Sequence, residues 1–252
     1  MLNGQPSPAK AVMLSVTVVS IGAVLGACAK AEPGAAPIQD EDQAVVIGVN
    51  VSSMEEMLLG ELFKQALDAE GIKATVQVDS SSTNQTPIAL LNKGHVDMAF
   101  GCTGELLERL HPSAVADISQ KVSGKDGGEA QAKAQEEVYK AVAAALPAMY
   151  SLTDPSTAQG CSGEAQQTDV DQKLPENIVL VFRKTSVNRR TYEVMNTVNR
   201  TITTDDLEDM LKDAKRNTSI SETVSEYLAT HNLGGGEDTG RSIKSKDEMT
   251  DI

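Results

Sequence analysis

Apolar and polar residues follow two rhythms along this chain, one with the period of a strand and one with the period of a helix. Residues 45–49 (VVIGV) form a short apolar run of β type, and Asn50-Val51-Ser52-Ser53 behind them offers a helix N-cap. Met54, Met57, Leu58, Leu62, Phe63 and Leu67 then recur at helical spacing, with Glu55, Glu56, Lys64 and Asp68 between them. Glu56 stands three residues after Ser53, which makes a capping box, and Gly71 closes the helix. Residues 74–78 (ATVQV) alternate as a strand, 79–84 form a polar turn, and 86–91 begin a short helix closed by Gly94. A third strand is expected at 96–100 and a short helix at 104–111, stopped by Pro112. This β-α-β-α-β-α order predicts a parallel sheet with crossover helices.

The second half is less regular. A polar stretch at 119–129 precedes a helix at 130–146 with Val138, Tyr139, Val142 and Leu146 on one stripe, closed by Pro147. Residues 148–152 read as a strand and 153–176, with Pro155, Gly160, Gly163 and Pro175, as a loop. Residues 178–183 (IVLVFR) form an almost continuous apolar strand. Three helices follow at about 187–199, 203–216 and 221–231, two of them with acids (Asp206, Glu222) in the first turn, where they suit the helix dipole. Gly234-Gly235-Gly236 opens a charged tail, 234–252, expected to be disordered.

The first 27 residues have a different character. Residues 1–10 are polar with one cation, Lys10, and 11–27 are uncharged and apolar or small. That is the layout of a secretory signal, and the run is slightly short for a spanning helix of about 20 residues. It ends in Leu25-Gly26-Ala27-Cys28, which resembles the lipobox of bacterial lipoproteins. The resemblance implies cleavage before Cys28, acylation of its thiol by diacylglycerol and palmitate-type chains, and anchoring at the extracytoplasmic face of the cell membrane. Each buried CH₂ contributes roughly 0.8 kcal/mol, so two or three chains hold a protein on a bilayer. Residues 28–44, rich in Ala, Pro, Gly and acids, read as a flexible tether to a folded domain at 45–233.

Composition narrows the function classes. The net charge is −14, and removal of the leader takes one lysine and no acid, so the remainder is more acidic still. This argues against nucleic acid as a partner, which requires a basic footprint. The chain has no Trp, three Phe and four Tyr, so its core must be mostly aliphatic. After Cys28 only Cys102 and Cys161 remain, and two cysteines in an oxidising compartment are expected to form a disulfide. His95, His111 and His231 lack zinc-ligand spacing, and there is no GxSxG and no phosphate loop. Asp205 and Asp206 sit in a helix N-terminal turn, where a structural role is expected. Neither an enzyme, a cofactor nor a metal is expected.

Residues 45–110 resemble the substrate-binding proteins of quaternary-amine ABC importers, the glycine betaine, choline and carnitine class. The resemblance rests on Ile47-Gly48, then Glu55-x-x-x-Leu59-Gly60-Glu61-Leu62 and Gln65-Ala66-Leu67-x-x-x-Gly71. It continues in Ala89-Leu90-Leu91-Asn92-x-Gly94-x-Val96-Asp97 and Thr103-Gly104. Residues 137–142, 177–184, 203–210 and 224–233 resemble later elements of the same proteins. The family implies an α/β type II periplasmic-binding-protein-like fold with a parallel central sheet, in which two lobes close on a cation held by aromatic faces. It also implies an ABC permease as partner.

Two departures alter that expectation. The family commonly reads Glu-Tyr-Thr-Gly after its third strand, where this chain has Gly101-Cys102-Thr103-Gly104. The second lobe is reduced to 153–176, which a Cys102–Cys161 disulfide would staple across the ligand entrance, with the C-terminal helices packed back on the first lobe. The polar residues at strand ends, Asn50, Ser52, Ser53, Ser81, Ser82 and Thr103, are the candidate contacts for a small quaternary amine. Helix capping and turn formation are their alternative roles. The competing function is an accessory or scaffold lipoprotein that docks through the remaining lobe on an integral membrane complex, whether a transporter or a respiratory or cell-envelope assembly.

Overall fold

A computed structural model describes residues 43–80, 86–122, 128–160, 174–217 and 219–233. Cys28, the leader, the tether as far as residue 42, Ser81, Ser82, Cys161 and the tail lie outside the described residues. Among those described, no helix is long and apolar enough to cross a membrane.

Among the described residues five strands form one sheet: β1 (Val45–Asn50), β2 (Ala74–Asp79), β3 (Met98–Cys102), β4 (Tyr150–Leu152) and β5 (Ile178–Arg183), in the order β2-β1-β3-β5-β4. As the β-α-β pattern requires, β1 pairs in parallel with β2 and β3. β5 is antiparallel to both β3 and β4, because it re-enters the sheet from beyond the ends at which β3 and β4 leave it. The near-continuous apolar character of β1 and β5 reflects central positions covered on both faces.

The period-2 alternation divides the sheet into two cores. Val45, Ile47 and Val49 of β1, Met98, Phe100 and Cys102 of β3, and Ile178, Leu180 and Phe182 of β5 face one layer. That layer holds α1 (Met54–Ala69) with α6 (Arg189–Thr201), α7 (Thr204–Asn217) and α8 (Ile220–His231). Ala99, Val179 and Val181 face the other, formed by α2 (Pro87–Asn92), α3 (Thr103–Leu110), α4 (Pro112–Val122) and α5 (Gly128–Ala145). The C-terminal helices do pack back on the first lobe: Gln65 of α1 donates from Nε2 to both the carbonyl and the hydroxyl of Ser221 at 3.0 Å. Gly60 lets α1 lie against β1, since a Cβ there would stand 2.6 Å from Cγ1 of Val49.

One helix differs from the sequence expectation. Pro112 does not end the helical region but begins α4, which takes in the first four residues, 119–122, of the stretch read as polar. Proline fits the first helical turn because its missing N–H would have no partner there. α3 ends one residue earlier, at Leu110, and His111 leaves the helical conformation.

Candidate functional site

In open α/β sheets ligands bind beyond the carboxyl ends of the parallel strands. Here that region is formed by the ends of β1 and β3, the first turns of α1 and α3, and two segments that run beside β5. The outgoing segment follows β4. Thr153 N–H donates to the Leu180 carbonyl at 3.0 Å, Ser156 N–H to Ile178 at 2.9 Å and Gly160 N–H to Glu176 at 3.0 Å. The returning segment 174–177 leads into β5. Together they place the start and finish of the shortened lobe side by side.

The β1 end is occupied by its own turn. Ser53 Oγ accepts from Glu56 N–H at 3.1 Å, as the capping box predicts. The Glu56 carboxylate accepts instead from Asn50 N–H at 2.7 Å, and Ser53 N–H donates to the Asn50 carbonyl. Asn50 Oδ1 accepts from Ser52 N–H at 2.9 Å, and the Ser52 side chain is exposed. Asn50 and Ser53 therefore serve as cap and turn residues, and burial raises the pKa of Glu56.

The β3 end is covered by the returning segment. Thr103 is fully buried; its hydroxyl donates to the Pro175 carbonyl at 2.9 Å and accepts from Asn177 N–H at 3.1 Å. The Glu176 carboxylate takes the N-terminus of α3, accepting from Glu105 N–H at 3.1 Å. Gly104 makes this possible: a Cβ there would stand 2.5 Å from Glu176 Oε1. Burial, opposed by these backbone bonds and reinforced by the negative charges of Glu105 and Glu108, pushes the Glu176 carboxyl up to about 7. Cys102, at the N-cap of α3 and fully buried, is disulfide-bonded.

Asparagines hold the outgoing segment. Asn199 of α6, fully buried, directs Nδ2 at Thr153 Oγ1, the Asp154 carbonyl and the Ile178 carbonyl at 3.2, 2.6 and 3.1 Å. Asn196 Oδ1 accepts from Asp154 N–H at 2.9 Å, and Asn177 donates to the Ser156 carbonyl at 2.8 Å. Sequence reading missed Glu176, Asn177, Asn196 and Asn199. Each acts on a partner remote in the chain, and none lies in a recognisable motif.

Among the described residues a small cavity lies beside the strand ends. The cavity bounded by Asn50, Glu56, Asp79, Pro87, Leu90, Ala99 and Phe100 measures about 10 Å³. That is room for about one water, whereas small-molecule sites run from roughly 300 Å³ upward. A more open cleft of about 560 Å³ lies at the β2 edge, between Gln77–Ser80 and Leu90, Lys93, His95 and Val96. An Asp79–Lys93 ion pair at 2.7 Å spans it, and its described lining holds no Phe or Tyr.

The aromatic side chains are committed elsewhere. Phe63 meets Phe100 edge-on at 5.5 Å, Phe182 lies 5.8 Å from Tyr192, and Tyr227 stacks on His231 at 4.0 Å. Tyr150 carries the Arg183 guanidinium over its ring and donates from its hydroxyl to Asn92. Tyr139 is half-buried beside the core of α2–α5. No Phe or Tyr is exposed. Among the described residues no group of three or more His, Cys, Asp or Glu is arranged to hold a metal ion.

No protein-family model matches the chain, and no curated protein matches its sequence. Solved structures do match its shape. Apo YehZ from Escherichia coli superposes with a TM-score of 0.57 at 11% identity, covering 76% of this chain and 99% of that one. A structure described as a glycine betaine/carnitine/choline ABC transporter gives 0.54 at 10% identity, covering 75% and 99%. At such identities the likeness establishes architecture. The chain has the periplasmic-binding-protein fold of these two structures, with the strand ends of its sheet covered by its own returning segment.

Proposed function

We propose that this protein is a lipid-anchored, extracytoplasmic accessory protein that uses a binding-protein lobe to dock on an integral membrane complex, and that solute capture has been given up. The observation that carries this reading is the cover over the strand ends. Thr103, the strand-end residue best placed to meet a ligand, is bonded to Pro175 and Asn177, and Glu176 fills the α3 N-terminus. A quaternary amine needs aromatic faces around a desolvated cation, and the aromatic rings of this chain are engaged in its core. The Leu25-Gly26-Ala27-Cys28 tetrad supports a lipid anchor at Cys28. The fold shared with an ABC transporter structure makes an ABC permease the first membrane partner to test. We assign Cys161 as the disulfide partner of Cys102: Gly160 is hydrogen-bonded beside Glu176, and Ile178 is the register partner of Cys102.

The anchoring half of the proposal is tested in cells of the source organism. Wild-type protein is expected in the membrane fraction, and gentle-detergent purification is expected to retain an integral membrane protein in stoichiometric amount. Cys28→Ser is expected to lose lipid labelling and at least nine-tenths of the membrane-associated partner. Unchanged labelling in the variant, or wild-type protein recovered alone, counts against it.

A further inference from the structure

We propose that two copies of this chain associate through β2, the strands pairing antiparallel about a two-fold axis at Val76 so that the two sheets become one. The inference is independent of the covered strand ends and of what the protein docks on.

β2 ends the sheet, and among the described residues no strand lies beyond it. Two bonds identify the side it turns to β1: Val45 N–H donates to the Lys73 carbonyl at 2.9 Å, and Val51 N–H to the Asp79 carbonyl at 3.1 Å. In the parallel register between them the odd-numbered residues of β2 bond to β1, and the backbone groups of Ala74, Val76 and Val78 point away. Ala74 N–H agrees, since it leaves the sheet to meet Asp68 Oδ1 at 3.1 Å. The Val78 carbonyl accepts a long bond, 3.5 Å, from Nε2 of its neighbour Gln77. The N–H groups of Val76 and Val78 and the carbonyls of Ala74 and Val76 bond to no other described residue. Proteins commonly protect such an edge with a proline, a bulge or an inward-pointing charge. β2 has no proline and pairs with β1 in unbroken register over all 6 residues. Its Val78 is 45% exposed, and Thr75 and Gln77 are exposed on the opposite face.

Charge and backbone together select a second copy as the occupant. With Val76 opposite Val76 of the second copy, Ala74 falls opposite Val78, Thr75 opposite Gln77, and Lys73 opposite Asp79, each pair occurring in both directions. Opposite charges facing each other across strands favour pairing, and like charges oppose it. Lys73 is exposed, and the Asp79 carboxylate, already bonded to Lys93 at 2.7 Å, has acceptor sites for a second ammonium group. The same register matches the edge groups. Val76 N–H meets the Val76 carbonyl, and Val78 N–H meets the Ala74 carbonyl, again in both directions. The two groups already engaged, Ala74 N–H and the Val78 carbonyl, fall opposite each other, so no existing bond has to break. The exposed Val78 side chain then lies against the small side chain of Ala74. Moving the axis to Thr75 or Gln77 would part both lysines from both aspartates.

Sedimentation equilibrium of the full-length protein in density-matched detergent, from about 1 to 100 μM, tests the pairing. Wild type is expected to approach twice the chain mass at the top of the range. Val76→Pro is expected to stay monomeric with an unchanged circular dichroism spectrum, because β1 does not use that N–H. Lys73→Glu sets like charges opposite each other at both ends and is expected to weaken association about tenfold. Adding Asp79→Lys to it is expected to restore association, a result that stands even if Val76→Pro fails to fold. Carbodiimide cross-linking of a mixture of isotope-labelled and unlabelled wild type is expected to join Lys73 of one copy to Asp79 of the other. A monomeric wild type overturns the proposal, whether or not the edge then takes a strand from another protein. A dimer that a folded Val76→Pro leaves intact, or one indifferent to the charge reversals, overturns it as well.

Discussion

Removing both Cys102 and Cys161 as alanines is expected to lower the unfolding free energy by about 4 kcal/mol, which is the chain-entropy value for opening a roughly 60-residue loop. Cys102 is disulfide-bonded and fully buried on the α1 side of the sheet, so alanine leaves no unpaired polar group there. The loss should come mainly from the freedom that the unfolded chain regains. A bridge to Cys161 would pin the point where the outgoing segment ends, one residue past Gly160, to the N-cap of α3. Its removal should therefore also loosen 174–177, which is hydrogen-bonded to both Gly160 and Thr103. The measurement is equilibrium urea unfolding of the oxidised wild type, the reduced wild type and the double variant. The last two are expected to coincide, both well below the first. Two free thiols in oxidised wild type, or identical midpoints for all three, would contradict the assignment.

Phe63→Ala is expected to cost about 4 kcal/mol, within the range for a buried phenylalanine. Phe63 is fully buried on α1 and meets Phe100 of β3 edge-on at 5.5 Å, with planes inclined at 60°. In a chain with three Phe and no Trp, this pair is a large share of the aromatic volume of its core. Neighbouring Leu59, Leu62 and Leu67 are held by α1 itself and cannot close on the gap without moving the helix off β1, which Gly60 holds close. The variant separates two roles for the aromatic residues. If Phe100 and its partner serve the core, stability falls and a lower denaturation midpoint is seen. If they line a ligand cage, stability changes by less than about 1 kcal/mol.

Local features were legible in the sequence, and remote ones were not. The stripe of Met57, Leu58, Leu62, Phe63 and Leu67 identified α1, and Ser53 and Glu56 identified its start, because helix periodicity and capping act over three or four residues. The apolar run 178–183 identified β5 but not its direction, which depends on where the chain returns to the sheet. Pro112 was ambiguous in principle: proline stops one helix and starts the next with equal ease. Thr103 was singled out because it ends a strand, and it does lie at the strand ends. Its partners, Pro175 and Asn177, are more than 70 positions away in sequence, so its bonding could not be read locally. Glu176 was hidden for the same reason. In a polar loop a glutamate looks solvated, and only the approach of α3 and the absence of a side chain at Gly104 make it a cap.

The fold and the occupied strand ends lead in opposite functional directions. The architecture is shared with a structure described as a glycine betaine/carnitine/choline ABC transporter. Among the described residues the cavity beside the ends of β1 and β3 is about 10 Å³, and Asn50 and Glu56 in its wall bond to each other. Residues 174–177 are held over the end of β3 by the Thr103 and Glu176 bonds together. The most direct measurement is isothermal titration of the full-length oxidised protein at pH 5.5 with glycine betaine, choline and carnitine, each to 100-fold excess at millimolar concentration, beside a thermal shift under the same conditions. The account predicts no saturable heat and no rise in the unfolding temperature with any of the three. A saturable isotherm with a matching stabilisation would contradict it and return this protein to the solute receptors whose fold it shares.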